Sequence, residues 1–197
     1  MALRSAISFV MNTALPAELL SVEDYIDGEN QSEIRHEYID GVVYAMAGTS
    51  DAHNLISGNC LAALHSHLRG GPCRVFMSDV KARLLIADQD IFYYPDLMVV
   101  CDPRDTERYY KRFPKVVIEI LSETTERTDR REKFLGYTQI ETLEEYVLVA
   151  QDKMEVTFFR RANQWKPEVT RTPEQPVHFA SLKFNLPLHA LYEGVKI

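Results

Sequence analysis

Two carboxylates interrupt apolar runs of the kind that form buried strands. Asp96 stands between Pro95 and Leu97-Met98-Val99-Val100, and Glu119 lies inside Val116-Val117-Ile118-Glu119-Ile120-Leu121. A carboxylate in a buried strand is costly unless something pairs with it. On neighbouring strands, both acids would reach one sheet edge and supply two hard oxygen ligands. That donor chemistry suits Mg2+ or Mn2+; Mg2+ takes about six oxygens at roughly 2.0–2.1 Å and keeps several waters. Either acid alone has a plainer reading, as a loop cap or an arginine partner. Glu37, in Arg35-His36-Glu37-Tyr38-Ile39-Asp40-Gly41, reads alone as a helix-end surface charge just before a strand. As a third acid it would hold a water or a second ion. Asp79, a fourth, is expected in a strand and paired with Lys81 or Arg83.

Lys133 lies in Asp129-Arg130-Arg131-Glu132-Lys133-Phe134-Leu135-Gly136-Tyr137. Asp129, Lys133 and Tyr137 recur every four residues, so on a helix they share a face. Spacing alone favours an Asp129–Lys133 surface pair worth a few tenths of a kcal/mol. The alternative points the lysine at the acids, where it would position an attacking water and offset charge building on a phosphate. His65 and His67 are two apart and do not face together on a helix. His53 has the reach to meet the acids, although a capping or core role is the simpler expectation. Trp165 and Phe158-Phe159 are expected in the core or an interface.

The elements that must position these groups follow from the hydrophobic pattern. Ser21 with Asp24 resembles a helix start, and Val42–Ala47 between two glycines reads as a strand. Residues 51–69 carry Leu55, Ile56, Leu61, Leu64 and Leu68 at helical spacing until Gly70-Gly71-Pro72 stops them. Strands are expected over 73–86, 91–101 and 114–121, a helix over 125–140, and a strand pair over 144–150 and 153–161. The proline-bearing tail reads as loops and short edges. The order implies a mixed α/β fold with a curved central sheet flanked by helices. VVIEIL and YVLVA have the unbroken apolarity of strands buried on both faces.

The chain has 197 residues and a formal net charge of −7. That length suits one domain, expected over residues 16–197 after a tail at 1–15. The N-terminal apolar run is too short and too early closed to make a convincing signal peptide. No run reaches the roughly 18 apolar residues of a membrane helix. The acidic balance excludes indiscriminate coating of nucleic acid, which depends on neutralising phosphates, while leaving room for a local basic groove. Three cysteines, with no CxxC pair, argue against a disulfide framework and make a reducing cytoplasm the default. No P-loop, GxGxxG or GxSxG is present, so nucleotide-driven and α/β-hydrolase chemistries lack support.

Pro95-Asp96, followed after 22 residues by Glu119 in an apolar strand, resembles the PD-(D/E)xK nuclease signature. The segment from His36 to Gly48 followed by His53 is similar to the opening of the bacterial Uma-type "putative restriction endonuclease" family. So are Ser78-Asp79-Val80-Lys81, Tyr93-Tyr94-Pro95-Asp96, Ile118-Glu119-Ile120-Leu121-Ser122, Asp129-Arg130-Arg131-Glu132-Lys133 with Tyr137, and Glu145-Tyr146-Val147-Leu148-Val149. The resemblance covers about residues 18–190. It implies a restriction-endonuclease-like fold and metal-dependent phosphodiester hydrolysis, with Asp96 and Glu119 as metal ligands and Glu37 as the acid from the N-terminal element. Leu121 departs from the superfamily pattern, which has lysine there; the resemblance moves that lysine to the following helix, at Lys133.

The expectation is therefore a Mg2+- or Mn2+-dependent DNA endonuclease with Glu37, Asp96, Glu119 and Lys133 as catalytic residues. The alternative is a catalytically inactive nuclease-like fold that binds nucleic acid or protein. Arg104, Arg108, Lys111 and Arg112, with Arg127, Arg130 and Arg131, are candidates to position phosphates, and Tyr109 and Tyr110 to stack on bases. A homodimer would suit cutting of both strands.

Overall fold

The computed structural model describes residues 19–122 and 128–197; the 1–15 tail and Arg127 lie outside them. Helix α1 (Val22–Glu29) starts where Ser21 Oγ accepts the Asp24 N–H at 3.1 Å. Its Tyr25 packs on Tyr38 and Phe92. Strands β1 (His36–Ile39) and β2 (Val42–Ala45) form a hairpin in register Ile39↔Val42. The two linking residues, Asp40 and Gly41, have φ of 47° and 92°, as a tight hairpin turn requires. A Cβ on Gly41 would also lie 2.7 Å from that of Leu19, so glycine is needed twice over.

Helix α2 (Asp51–Leu68) follows, then β3 (Arg74–Met77), β4 (Lys81–Ile86), β5 (Gln89–Tyr93), β6 (Leu97–Val100), β7 (Tyr110–Lys111) and β8 (Pro114–Leu121). A π-helical turn (Asp129–Lys133) leads into a single α turn, α3 (Phe134–Tyr137). The chain ends with β9 (Glu145–Ala150), β10 (Val156–Arg160), β11 (Pro167–Thr170), β12 (Pro176–Phe179), β13 (Phe184–Pro187) and α4 (Leu188–Leu191).

The strands divide between two mixed sheets and a small hairpin. One sheet has the order β2-β1-β5-β4-β7, the other β11-β10-β9-β8-β6-β3, and β12 pairs with β13. Two spans that read as single strands are each broken, and the chain crosses between sheets at each break. Residues 73–86 split at Ser78, where φ is 47°, into β3 of one sheet and β4 of the other. Residues 91–101 split at Tyr94-Pro95-Asp96 into β5 and β6. Asp96 thus sits where the chain leaves one sheet and enters the next. β8 and β9 run parallel at the centre of the six-stranded sheet, and nearly every residue of both is buried, as their unbroken apolarity requires.

Alternation of side chains sends Ile118 and Ile120 to one face of β8, and Val117 and Leu121 to the other. The first face packs with Ile56, Cys60 and Leu64 of α2 and with the C-terminal elements. The second is sandwiched against Ala82, Leu84, Ile91 and Tyr93 of the five-stranded sheet and against Tyr137 and Leu143. Glu119 shares this second face. No helix among the described residues is long and apolar enough to cross a membrane.

The cysteine expectation is overturned. Cys73 and Cys101 form a disulfide, with Cα atoms 4.1 Å apart. β3 and β6 are antiparallel neighbours in register Arg74↔Val100, so the next cross-strand pair is Cys73 with Cys101. The pairing comes from a ladder between residues 28 apart in sequence, which no CxxC spacing would announce. The cysteine count therefore no longer argues for a reducing compartment. Cys60 is buried and free. Unfolded without reductant, the chain should expose one titratable thiol, and three after reduction; three without reductant would contradict the pairing.

Candidate active site

The register Leu97↔Ile118 between β6 and β8 sets Asp96 beside Glu119, and the two are locked reciprocally. The Ile120 N–H donates to Asp96 Oδ2 at 2.7 Å, and the Asp96 N–H donates to Glu119 Oε2 at 3.2 Å. Glu37 arrives from β1 of the other sheet, on the same strand face as Ile39, which packs into the core between the sheets. Lys133 arrives from the π-helical turn. Its Nζ lies 2.9 Å from Glu37 Oε1, 3.4 Å from Asp129 Oδ1 and 3.6 Å from Glu119 Oε1. Three chain segments, β1, β8 and the helical turn itself, thus converge on one buried ammonium. The Asp129–Lys133 pair does form, but buried rather than on the surface. Tyr137, one further step along that face, donates its hydroxyl to Glu119 Oε1 at 3.2 Å.

Burial drives the Glu119 carboxyl well above the ordinary carboxylate range, and the charges of Asp129, Asp96 and Glu37 push the same way; Lys133 opposes them. Burial alone would lower the Lys133 ammonium. Glu119, Glu37 and Asp129 more than offset it and hold the lysine charged, above its ordinary value. A protonated Glu119 would still leave Glu37 and Asp129 beside the lysine to hold its charge.

His53, in the first turn of α2, presents Nε2 to Asp96 Oδ2 at 3.1 Å while its backbone N–H is capped by Ser50 Oγ at 3.1 Å. It therefore both belongs to the cap and reaches the acids. With Oδ2 engaged by His53 and Ile120, Asp96 Oδ1 is left without a partner among the described residues. A further buried chain supports the acids from behind. Glu29 Oε1 accepts the His36 N–H at 2.8 Å and the Tyr94 hydroxyl at 2.9 Å, and Lys81 Nζ donates to the Tyr94 oxygen at 3.1 Å. His36 adjoins Glu37 and Tyr94 lies two residues before Asp96, so this chain holds the flanks of both. Burial lowers the Lys81 ammonium. Nothing in the sequence spacing pairs residues 29, 36, 81 and 94; only the meeting of α1, β1, β4 and the crossing segment does.

These groups lie along a cavity of about 630 Å³, lined among others by Glu37, His53, Asp96, Glu119, Asp129 and Lys133. No three His, Cys, Asp or Glu side chains among the described residues converge as a ready-made metal site. The donor set nonetheless fits a divalent cation: Glu37, Asp96, Glu119 and Asp129 line one cavity with a single buried lysine, and hard oxygens suit such an ion.

Other sequence expectations are corrected. Asp79 is not a strand residue paired with Lys81 or Arg83; it is exposed in a turn and pairs with Arg35 at 3.0 Å. Glu37 is a strand residue, not a helix-end charge. Among the expected phosphate-positioning residues, Arg104 is clamped on Asp102, and the Lys111 ammonium is turned inward onto the carbonyls of Asp105 and Glu107. Neither they nor Arg108, Arg112, Tyr109 and Tyr110 line the cavity, whereas Arg130 does. His67 bonds the Leu182 carbonyl at 2.9 Å.

A family model described as "Putative restriction endonuclease", Uma2, matches residues 22–189. The chain belongs to the Uma2 family. The uncharacterized protein slr1290 of Synechocystis sp. is 36% identical to this chain over 147 residues, covering 74% of this chain and 76% of that protein. The uncharacterized protein sll1609 of the same organism is 29% identical over 160 residues, covering 79% and 89%. The fold is similar to a crystal structure described as a putative nuclease from Anabaena variabilis, with TM-score 0.67, 20% identity, and 84% and 93% of the two chains covered. This chain thus shares that protein's fold, a mixed α/β one of restriction-endonuclease-like architecture.

The raised Glu119 carboxyl gives a stability signature. A carboxyl whose folded pKa exceeds its unfolded value leaves the folded state holding more protons, so stability is full below the unfolded pKa and falls as pH rises through the folded one. In EDTA, the urea midpoint should fall as pH climbs above the ordinary glutamate range, and Glu119→Gln should flatten that fall. An unchanged slope in the variant would remove Glu119 as its source.

Proposed function

We propose that this protein is a divalent-metal-dependent DNA endonuclease, with Asp96 and Glu119 as ligands of Mg2+ or Mn2+ and with Glu37 and Lys133 completing a PD-(D/E)xK-type site. The observation that carries this reading is the convergence of Glu37, Asp96, Glu119 and Lys133 from separate strands and a helical turn onto one cavity. Membership of a family described as "Putative restriction endonuclease" and the fold shared with a putative nuclease support it.

A divalent cation bound there supplies polarisation of the scissile phosphate and a lower pKa for the attacking water. The chain's own groups do the remainder. Asp96 offers Oδ1 to the cavity while His53 and the Ile120 N–H fix its other oxygen. Glu119 is oriented by Tyr137 and by the Asp96 N–H. Lys133, steered by Glu37 and Asp129, holds a positive charge where negative charge grows on the phosphate, an interaction strengthened away from bulk water. Leu121 occupies the strand position where the superfamily carries lysine, and it is buried in the core between the sheets. The lysine from the helical turn restores the charge from a different backbone position. A homodimer would place two such sites on one duplex.

The test couples binding to turnover. Mg2+ or Mn2+ at about 100 times its dissociation constant should stabilise the protein by about 2.7 kcal/mol, and Asp96→Asn with Glu119→Gln should abolish that shift. Mn2+ should support nicking of plasmid DNA. Lys133→Met should lose the nicking while keeping the metal shift. A normal metal shift in the double variant refutes the ligand assignment. A lost shift with no cleavage over a panel of DNA substrates favours the inactive binding module.

A further inference from the structure

Glu37 has a cross-strand partner that the hydrolytic chemistry does not use. In the β1–β2 hairpin Glu37 stands opposite Tyr44, and directly opposed residues project from the same face of a hairpin. Tyr44 therefore stands beside the candidate catalytic acid, and both line the cavity with Met46. The Tyr44 ring is 52% exposed; it stacks on no other ring and makes no hydrogen bond among the described residues. β2 is also the outer strand of its sheet. An aromatic ring held at a cavity lip, one cross-strand step from a candidate catalytic acid, is placed to stack on a planar ligand.

Charge narrows what that ligand is. Among the described residues the cavity is lined by five carboxylates, from Glu37, Asp96, Glu119, Asp129 and Asp152, against three cations, Arg130, Lys133 and Lys153. Lys133 is held by three of the acids, and Lys153 pairs with Glu155 at 3.4 Å. Duplex binders that neutralise about 6–10 phosphates do so with rows of uncommitted basic side chains, and the described residues of this wall supply no such row. Single strands add aromatic stacking to their backbone contacts, and each phosphate contact on them releases fewer counterions than on a duplex. The acids also lie deep: the Glu119 side chain is 4% exposed. A phosphodiester reaches such a floor when its nucleotide has left the helical stack.

We infer that the substrate is an unpaired stretch of DNA, whose bases stack on Tyr44 at the lip while the backbone enters toward Asp96 and Glu119. This rests on the nuclease reading above and specifies its substrate class. Tyr44 is a binding residue in it, outside the hydrolytic set.

The experiment separates the two claims by reading binding apart from cleavage. Fluorescence anisotropy of the full-length protein, in EDTA and with Ca2+, compares a labelled 12-nucleotide single strand with the blunt duplex of the same sequence. The single strand should bind at least tenfold tighter, with a shallower dependence on salt than the duplex. Tyr44→Ala should weaken single-strand binding about tenfold, the scale of losing one stacked base, and Tyr44→Trp should retain it. Both variants should keep the thermal midpoint, because the ring is exposed. Equal or tighter duplex binding, no binding of either form, or an unaffected Tyr44→Ala overturns the inference. Mn2+-dependent cleavage is scored separately. Preferential single-strand binding without cleavage keeps the Tyr44 binding site but sinks the hydrolytic reading and, with it, the strand's role as substrate; cleavage that ignores strandedness keeps the hydrolytic reading and overturns the inference.

Discussion

One ammonium group holds this architecture's polar centre together. Lys133 is nearly enclosed, and the acids around it come from β1, β8 and its own helical turn. Removing charge from water costs several kcal/mol per ion even after relaxation, and the cost is tolerable only when opposite charges surround the group. Here the acids need the lysine as much as it needs them. Without it, Glu37, Glu119 and Asp129 would be neighbouring carboxylates in a dry interior, Glu119 still accepting from the Tyr137 hydroxyl and the Asp96 N–H. The two sheets and the turn are fastened where their polar groups meet, as well as where their apolar faces pack.

That arrangement also states what is still uncompensated. Burial, with the neighbouring carboxylates, pushes Glu119 upward, and Glu119, Glu37 and Asp129 hold Lys133 as a cation against its own burial. Proton uptake relieves that crowding of carboxylates, and a small, hard cation offering two charges relieves it further. The π-helical turn matters in this light. Such turns are rare and frequent at functional sites, and this one carries Asp129 and Lys133 at its two ends.

Much of this was legible in the amino-acid order. An acid inside an otherwise apolar strand contradicts its surroundings, and Asp96 and Glu119 announce themselves that way. The parallel pair at the centre of the larger sheet is visible as unbroken apolarity, and the shared face of Asp129, Lys133 and Tyr137 as a spacing of four. What stayed hidden required knowing who lies beside whom. His53 meets Asp96 across 43 residues, and Glu29 meets Tyr94 across 65. The division into two sheets turns on crossing segments at Ser78 and Tyr94–Asp96 that local propensity reads as continuous strand. The basic residues of 104–112 looked available because a sequence shows charges without their partners, such as Asp102 beneath Arg104.

The Cys73–Cys101 crosslink encloses β4, β5 and the crossing that carries Asp96, leaving Glu37, Glu119 and Lys133 outside. A covalent ring of this size restricts the denatured chain and adds about 3–4 kcal/mol on the chain-entropy view. The segment that carries Asp96 is thus tethered even when the remainder is loose. Oxidant supply during synthesis then becomes a determinant of how readily the centre assembles, and the same polypeptide made in a reducing milieu would start from a floppier precursor.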